Sequence, residues 1–256
     1  MRTLTFCTLV FFAAGSLFAD EYHNINGFFG ERAAGLAGAY TAIAADPSGA
    51  FYTPAGLAYA YDNYYSLSAS TYSETKKTYE GVFGPGQDYT RQSRTYLPNF
   101  FGAIRNIDEL KLGLAVVTPQ NEQFDQADQI NFPQLVPNAT SYRNDFSEDN
   151  TNILAGPSLA YALSDSFSIG ASLFLDWQTR RILTTQYVGG ASGSYSLTTI
   201  QDRRRTTGFK PVVGMQYMPT DELALGLSIS KNFVTSGERR QSAILTTSAS
   251  DSATGV

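Results

Sequence analysis

Three stretches of this chain share one template: FGAIRNIDELKLGLAV (residues 101–116), SLAYALSDSFSIGASL (residues 158–173) and GMQYMPTDELALGLSI (residues 214–229). Each has an apolar run, a short turn around an aspartate, and a second run with a glycine five residues after that aspartate. The aspartates, Asp108, Asp165 and Asp221, lie 57 and 56 residues apart. A unit that recurs at this spacing with this pattern predicts a repeated β-hairpin.

The second run of each hairpin alternates large apolar residues with small or polar ones. In the first hairpin, Leu112 and Leu114 flank Gly113. Gly170 and Gly226 hold the corresponding positions in the second and third hairpins. Because successive side chains of a strand point to opposite faces, the sheet has one apolar face and one face of small or polar residues. Such an apolar face is buried against another sheet in a secreted β-sandwich, or it faces lipid in an outer-membrane barrel.

The connections between the predicted strands differ in length at the two ends of the sheet. The aspartate-centred turns are short, whereas the opposite connections, roughly residues 72–95, 119–149 and 186–207, are long and polar. Short turns at one end and long loops at the other are typical of outer-membrane barrels. A β-sandwich, the alternative, gives no reason for this division. We therefore predict an all-β fold, an antiparallel up-and-down transmembrane β-barrel.

The alternating segments predict about seven passes across the sheet. Bacterial barrels of one chain have even strand numbers, and an open sheet would leave two unpaired edges in lipid at a high cost in free energy. The tail SAILTTSASDSATGV (residues 242–256) is typical of a loop, so we expect the chain to be the N-terminal part of a larger barrel. The predicted passes are residues 62–75, 95–107, 110–119, 150–164, 166–185, 207–218 and 222–236.

Residues 1–19, MRTLTFCTLVFFAAGSLFA, have the layout of a secretory signal peptide, with a membrane anchor as the alternative. Its removal takes away Cys7, the only cysteine, and Arg2, so the net charge changes from −5 to −6. A mildly acidic chain argues against nucleic-acid binding. Aromatic residues make up 13% and charged residues 16% of the chain, and this low charge content favours an outer-membrane barrel over a soluble domain.

Residues 20–60 form a separate N-terminal region ahead of the predicted partial barrel, residues 61–256. Within this region, Ala33, Leu36, Tyr40 and Ala44 follow helical spacing, and Asp46-Pro47 is expected to end the helix. A compact segment of small residues before the first strand predicts a plug inside a lumen. A surface helix that caps one end of the barrel is the alternative, since periodicity does not identify what a face packs against.

GERAAGLAGAYTAIAADPSGAFYTPAGLA (residues 30–58) resembles the N-terminal hatch of the FadL-like long-chain fatty acid transporter family of Gram-negative outer membranes. The family has Asn-Pro-Ala where this chain has Thr53-Pro54-Ala55, so a contact that needs the amide donor is lost here. The resemblance implies fourteen strands around a hatch, of which this chain supplies about half. The hatch motif consists of Gly30, Arg32, Gly35, Gly38, Asp46, Thr53, Pro54, Ala55 and Gly56.

The resemblance implies passive uptake of hydrophobic molecules, fatty acids or hydrocarbons, across the outer membrane of a Gram-negative-type bacterium, without a cofactor. An apolar cluster in an outer loop is a candidate ligand-binding patch, because exposed apolar patches often mark binding sites. A loop folded on its own small core is the alternative. The candidate ligand-binding residues are Phe124, Ile130, Phe132, Leu135 and Val136.

Two other functions compete with transport. An outer-membrane lipase needs a Ser–His pair in the barrel wall, and His23, the only histidine, is poorly placed for it. A structural or adhesive barrel accounts for the strands equally well but needs no plug. Arginine groups near the outer strand ends, Arg180-Arg181, Arg203-Arg204-Arg205 and Arg239-Arg240, are expected to meet outer-membrane lipids and lipopolysaccharide. No cofactor is expected. A calcium site formed by Asp145, Glu148 and Asp149 is disfavoured because DFSEDNTN lacks an ordered ligand pattern, so no metal site is predicted.

Overall fold

The computed structural model describes residues 28–61, 63–69, 73–82, 84–95, 98–131 and 138–248. The chain is an antiparallel all-β protein with a few short helical elements, as predicted. The predicted signal peptide, Cys7 and His23 lie outside the described residues.

The N-terminal region contains helix α1 (Glu31–Gly35), helix α2 (Gly49–Tyr52) and a 3-10 helix (Pro54–Tyr59). A second 3-10 helix, Ala191–Gly193, lies at the tip of a hairpin. The strands are β1 (Tyr64–Ala69), β2 (Ser73–Tyr79), β3 (Tyr89–Thr95), β4 (Pro98–Ile107), β5 (Leu110–Asn131), β6 (Ala139–Ser164), β7 (Phe167–Gly190), β8 (Tyr195–Thr220), β9 (Leu223–Ser230) and β10 (Phe233–Ser248).

All strands belong to one sheet whose neighbours follow the order β1-β4-β5-β6-β7-β8-β10. Strand β9 also pairs with β8, and the β2–β3 hairpin joins the sheet through β5. The order therefore has seven positions, which agrees with the predicted number of passes. Among the described residues, β1 does not pair with β9 or β10.

The three predicted aspartate turns are confirmed. Two residues, Asp108 and Glu109, connect β4 to β5, and Asp108 has a positive φ of 54°. The hairpins β6–β7 and β8–β9 are also connected by two residues, Asp165-Ser166 and Asp221-Glu222, but without a positive φ at the aspartate. A two-residue connection is the tightest common hairpin, and it sets the register of the strands on either side.

The prediction of long polar loops at the opposite end is wrong. Most of residues 119–149 and 186–207 belong to β5, β6, β7 and β8, and most of residues 72–95 belongs to the β2–β3 hairpin. Strands form there because cross-strand hydrogen bonds satisfy the backbone even when both faces carry Thr, Gln, Asn and Arg. The tail was also misjudged, since residues 242–248 belong to β10; residues 249–256 lie outside the described residues.

The two faces of the sheet differ as the alternation predicts. One face, here called the bare face, exposes large apolar side chains near the aspartate turns. Their members include Leu112, Leu159, Leu173, Trp177, Met215 and Leu225. The other, here called the covered face, carries glycine, alanine and serine at the intervening positions and packs against residues 28–60, here called the packed segment. The main core lies between the packed segment and the covered face, and includes Phe29, Leu57, Phe100, Val117, Phe174 and Val212.

The predicted helix over residues 33–44 is present only in its first turn, because α1 ends at Gly35. Ala37 and Gly38 both adopt positive φ, 50° and 82°, which stops helical propagation. A Cβ at Gly38 would lie 2.5 Å from a ring carbon of Phe28, so the chain bends where only glycine fits. The residues after Gly38 then run as turns that follow the sheet.

In the part of the chain that the structure describes, no helix is long and apolar enough to cross a membrane.

Candidate functional site

The repeated glycines are the positions where the packed segment touches the sheet. A Cβ at Gly170 would lie 2.5 Å from the backbone nitrogen of Ala55, and one at Gly226 would overlap the carbonyl oxygen of Thr41. Gly113 is less crowded, since its Cβ would lie 3.1 Å from the Leu57 Cδ1 atom. Gly170 and Gly226 thus allow the backbone of the packed segment to approach the covered face, and Gly113 leaves room for the Leu57 side chain.

Polar side chains of the covered face hold the backbone of the packed segment. The hydroxyl of Ser168 donates to the Ala55 carbonyl at 2.9 Å, and the hydroxyl of Ser172 donates to the Ala50 carbonyl at 2.7 Å. At the turn end of the sheet, the Lys111 ammonium donates to a carbonyl of the segment at 3.1 Å. Each such hydrogen bond contributes about 1 kcal/mol, and together they fix the position of the segment on the sheet.

The hatch-motif residues contribute mainly to the fold of the packed segment. Asp46 is 7% exposed and accepts hydrogen bonds from the backbone N–H and the hydroxyl of Ser48, at 2.8 and 2.5 Å. A Cβ at Gly30 would lie 2.7 Å from the Ser48 Cβ, and one at Gly56 would overlap the carbonyl of Ala44. These contacts close the segment on itself. Gly35, by contrast, has open space around it, and nothing in the structure requires glycine there.

Thr53, Pro54 and Ala55 lie at the centre of the contact with β7 and β8. All three are buried, and the Thr53 methyl group would lie 2.8 Å from a Cβ added at Gly214. The Thr53 hydroxyl oxygen is buried without a hydrogen-bond partner among the described residues. The prediction that threonine lacks an amide donor for a contact with the sheet remains a prediction.

Arg32, the remaining motif residue, is exposed at the edge of the segment. Its guanidinium lies 5.7 Å from the ring centroid of Tyr40, within the range of a cation–π interaction. Tyr40 itself is fully buried, and burial together with the neighbouring Asp46 carboxylate raises the pKa of its hydroxyl above the ordinary value. Tyr40 therefore stays neutral and acts as a core residue of the segment.

Phe51 of the packed segment belongs to an aromatic cluster on the covered face, and Lys210 of β8 lies beside this cluster. The ring of Phe51 lies 4.9 Å from Phe29 and 6.4 Å from Phe174, both centroid to centroid. The Lys210 ammonium lies 4.7 Å from the Phe51 ring centroid. These residues and Asp176, whose Oδ1 is buried without a hydrogen-bond partner, are here called the Lys210 site.

The Lys210 site joins an apolar surface to one ammonium group and to one buried carboxylate oxygen without a hydrogen-bond partner. Among the described residues, neither Lys210 nor Asp176 forms an ion pair within 4 Å, although each lies within electrostatic range of the other. A cation over an aromatic ring, with an acceptor nearby, suits a ligand that has an apolar body and one polar head. Within the described residues, no group of three or more metal-ligating side chains could hold a metal ion.

Two of the five candidate ligand-binding residues, Phe124 and Ile130, lie within the described residues, and both belong to β5 rather than to a loop. Phe124 is 1% exposed and packs against Phe146 at 5.3 Å between ring centroids, so it does not form an exposed patch. Ile130 is half-buried within β5, and Phe132, Leu135 and Val136 lie outside the described residues. At Phe124 the alternative interpretation, a small local core, fits the observed packing.

Sequence reasoning missed the Lys210 site because its members are far apart along the chain. Phe51 and Lys210 are brought together only when the packed segment lies on the covered face. One signal was available: GFKPVVGM (residues 208–215) places a lysine at an inward position of an otherwise apolar strand. Comparison with protein-family models, curated proteins and solved structures finds no match for this chain.

Proposed function

We propose that this chain is part of an outer-membrane β-barrel that takes up hydrophobic compounds, such as long-chain fatty acids, by passive diffusion past a movable hatch. The single observation that carries the proposal is the division of the sheet into a bare apolar face and a face covered by residues 28–60. In a membrane, the bare face contacts lipid and the packed segment occupies the lumen.

Aromatic residues at both borders of the bare face support insertion into a bilayer. The lower border, beside the aspartate turns, carries Phe167 and Tyr217 with ring centroids 6.3 Å apart. The upper border carries Trp177 and the stacked pair Phe209–Phe233, 4.9 Å apart. Trp177 lies ten residues beyond Phe167 in β7, which corresponds to about 33 Å along the strand and about 25 Å along the bilayer normal at a tilt near 40°. This matches the apolar band of outer-membrane barrels, which aromatic girdles border.

The chemistry of the Lys210 site favours binding of an amphiphilic ligand that has an apolar chain and a polar head. It lies next to the hatch, so a ligand bound there would contact both the sheet and the movable part. Movement of the packed segment would uncover the covered face and open a path past it. The seven strand positions and the two ends of the strand order support an assembly with further strands that close the wall.

A disulfide lock tests hatch movement. A Cβ at Gly214 would lie 2.8 Å from the Thr53 Cγ2, which places the two Cβ atoms within the range that a disulfide bridges. The double variant Thr53→Cys/Gly214→Cys is made with Cys7→Ser, so that no other thiol is present. It is expressed as the full chain in a Gram-negative host that lacks its own outer-membrane fatty acid transporter, and uptake of a labelled long-chain fatty acid is measured.

We expect the oxidised double variant to lose uptake and to regain it after reduction, while each single variant keeps uptake under both conditions. Undiminished uptake by the locked form would reject hatch movement. Absence of uptake by the unmodified chain, expressed together with the strands that close its barrel, would reject transport. The variant Lys210→Met identifies the ligand class. It should reduce uptake of a fatty acid but not that of a hydrocarbon with the same number of carbons.

The same experiment separates the alternatives. A structural or adhesive barrel gives no uptake in any variant and is indifferent to the lock. An outer-membrane lipase would release fatty acid from an ester substrate, and this release would depend on His23. No specific observation among the described residues favours either alternative over transport.

A further inference from the structure

Beyond the aromatic border on the bare face lies a group of arginines from three neighbouring strands. Arg181 of β7 pairs directly with Arg203 of β8, and Arg203 pairs directly with Arg240 of β10. Directly paired residues of antiparallel strands point to the same face, so these three side chains lie side by side. Arg205, two residues from Arg203, points to the same face. These four residues are here called the arginine row.

The face of the arginine row follows from unbroken alternation along β7. The β7–β8 register runs without a shift from Phe167 to Gly189, so Arg181 points to the same side as Trp177. Trp177 is 45% exposed on the bare face, and all four arginines are exposed as well. The row is therefore an outward-facing surface, separate from the Lys210 site and from the packed segment.

The inward and outward arginines of the same strands differ in their partners. On the inward side, Arg180 pairs with Glu148 at 3.0 Å and Arg239 pairs with Asp202 at 2.6 Å. On the outward side, Arg240 pairs with Glu238, but neither Arg181 nor Arg205 has an ion pair or hydrogen bond among the described residues. Two carboxylates also point to this side: Asp149 of β6 lies directly opposite Arg181, and Glu238 lies directly opposite Arg205. Four guanidinium groups with two carboxylates leave an excess of positive charge. Like charges directly opposite each other destabilise a sheet, so a further anion would stabilise the row.

The height of the row corresponds to the headgroup region of a bilayer. Arg181 lies four residues beyond Trp177, about 13 Å further along the strand and about 10 Å higher at a tilt near 40°. Headgroup layers extend about 5 to 8 Å beyond each side of the hydrocarbon core. Because arginine has a long stem, its guanidinium can reach back by several ångströms to this layer.

We propose that the arginine row binds the phosphate groups of a phosphorylated glycolipid in the outer leaflet of the outer membrane. Guanidinium groups bind phosphate oxygens bidentately, and neighbouring strands lie about 4.8 Å apart, so adjacent arginines can share one phosphate. The acyl chains of the same lipid would lie along the bare face below Trp177. This inference rests on the membrane placement given under Proposed function.

The only tryptophan of the chain, Trp177, provides the probe. The full-length protein is inserted into phosphatidylcholine vesicles, and Trp177 emission is recorded while a bisphosphorylated glycolipid of the lipid A type is added. The test variant is Arg181→Gln/Arg203→Gln. The matched control is Lys76→Gln/Lys77→Gln, which removes the same charge from two exposed positions of β2. A third variant, Arg181→Lys/Arg203→Lys, keeps the charge but not the bidentate geometry.

We expect the test variant to bind the glycolipid about tenfold more weakly than the unmodified chain, as loss of charge-assisted hydrogen bonds predicts. The matched control should bind like the unmodified chain, and the lysine variant should fall between them. Equal binding by the test variant, or equal binding of a dephosphorylated glycolipid by the unmodified chain, would overturn the inference.

A separate measurement tests the membrane placement on which the inference rests. Vesicles of phosphatidylcholine brominated along the acyl chains should quench Trp177 in the unmodified chain and in all three variants. Quenching without dependence on phosphate would reject the arginine site alone. Absence of quenching would reject the placement of the bare face in lipid, and with it the proposed function and this inference.

Discussion

Adjacent residues of β7 meet two different surroundings. Gly170 lies against the backbone of the packed segment, whereas Ile169 and Ala171 point away from it and are exposed. On the covered face, a single added methyl group would collide with the backbone of Ala55. On the bare face, large side chains such as Leu173 are accommodated with half of their surface exposed. On the covered face, close packing restricts which side chains are tolerated. On the bare face, the surrounding solvent or lipid restricts them.

The largest effect is expected from a charge at the centre of the bare face. Leu173→Arg should lower the free energy of unfolding from lipid vesicles by about 3 kcal/mol, because a cation near the bilayer midplane is strongly unfavourable. The matched control is Thr185→Arg, which lies on the same face beyond Trp177, opposite Thr199 and Asp145, and should cost little. Equal costs at the two positions, measured by denaturant titration, would mean that lipid does not surround the bare face.

A smaller effect is expected from overpacking the covered face. Gly170→Val should reduce the free energy of unfolding by about 2 kcal/mol, because the new side chain collides with backbone that cannot move without undocking the packed segment. Ala171→Val, one residue away on the bare face, is the control and should be nearly neutral. Limited proteolysis should also cut residues 28–60 faster in Gly170→Val alone. Similar behaviour of both variants would contradict the docking described above.

The smallest effect concerns the ion pair between Arg239 and Asp202, which lies on the inward side of the sheet beyond Trp177. The hydrogen bond from Arg239 holds the pKa of Asp202 below its usual range. This pair therefore stabilises the fold at neutral pH, and its contribution disappears as the pH falls through the lowered pKa. Asp202→Asn should be less stable than the unmodified chain at pH 7, and the difference should shrink in acid. A difference that stays constant with pH would mean that charge at Asp202 contributes nothing.

Sequence reasoning predicted the turn-proximal half of the sheet well, because two strong local signals coincide there. Alternation sets the faces, and the turns at Asp108, Asp165 and Asp221 set the register. The polar half was predicted as loops because Thr, Gln and Arg on both faces remove the period-two signal. The pairing of its strands continues the register that begins at the turns. No short stretch of the sequence shows this continuation.

The packed segment was predicted as a region but not in its conformation. Its spacing of apolar residues indicated one helix, yet positive φ at Ala37 and Gly38 bends the chain along the sheet. Small residues suit a helix and also suit a segment that packs closely on a sheet. The sequence pattern therefore did not distinguish these two conformations. The Lys210 site could not be predicted from spacing, since Phe51 and Lys210 meet only through the docking of two distant segments.

The unbroken ladder between β7 and β8 also restricts how this hairpin can change in evolution. Over residues 167–189 every residue has one partner and no bulge absorbs an extra one. A single-residue insertion in either strand would exchange the faces of all residues beyond it and turn apolar side chains from the bare face toward the covered face. Length variation in homologous hairpins should therefore occur at the tip around Ala191–Gly193, or in both strands at once and in steps of two.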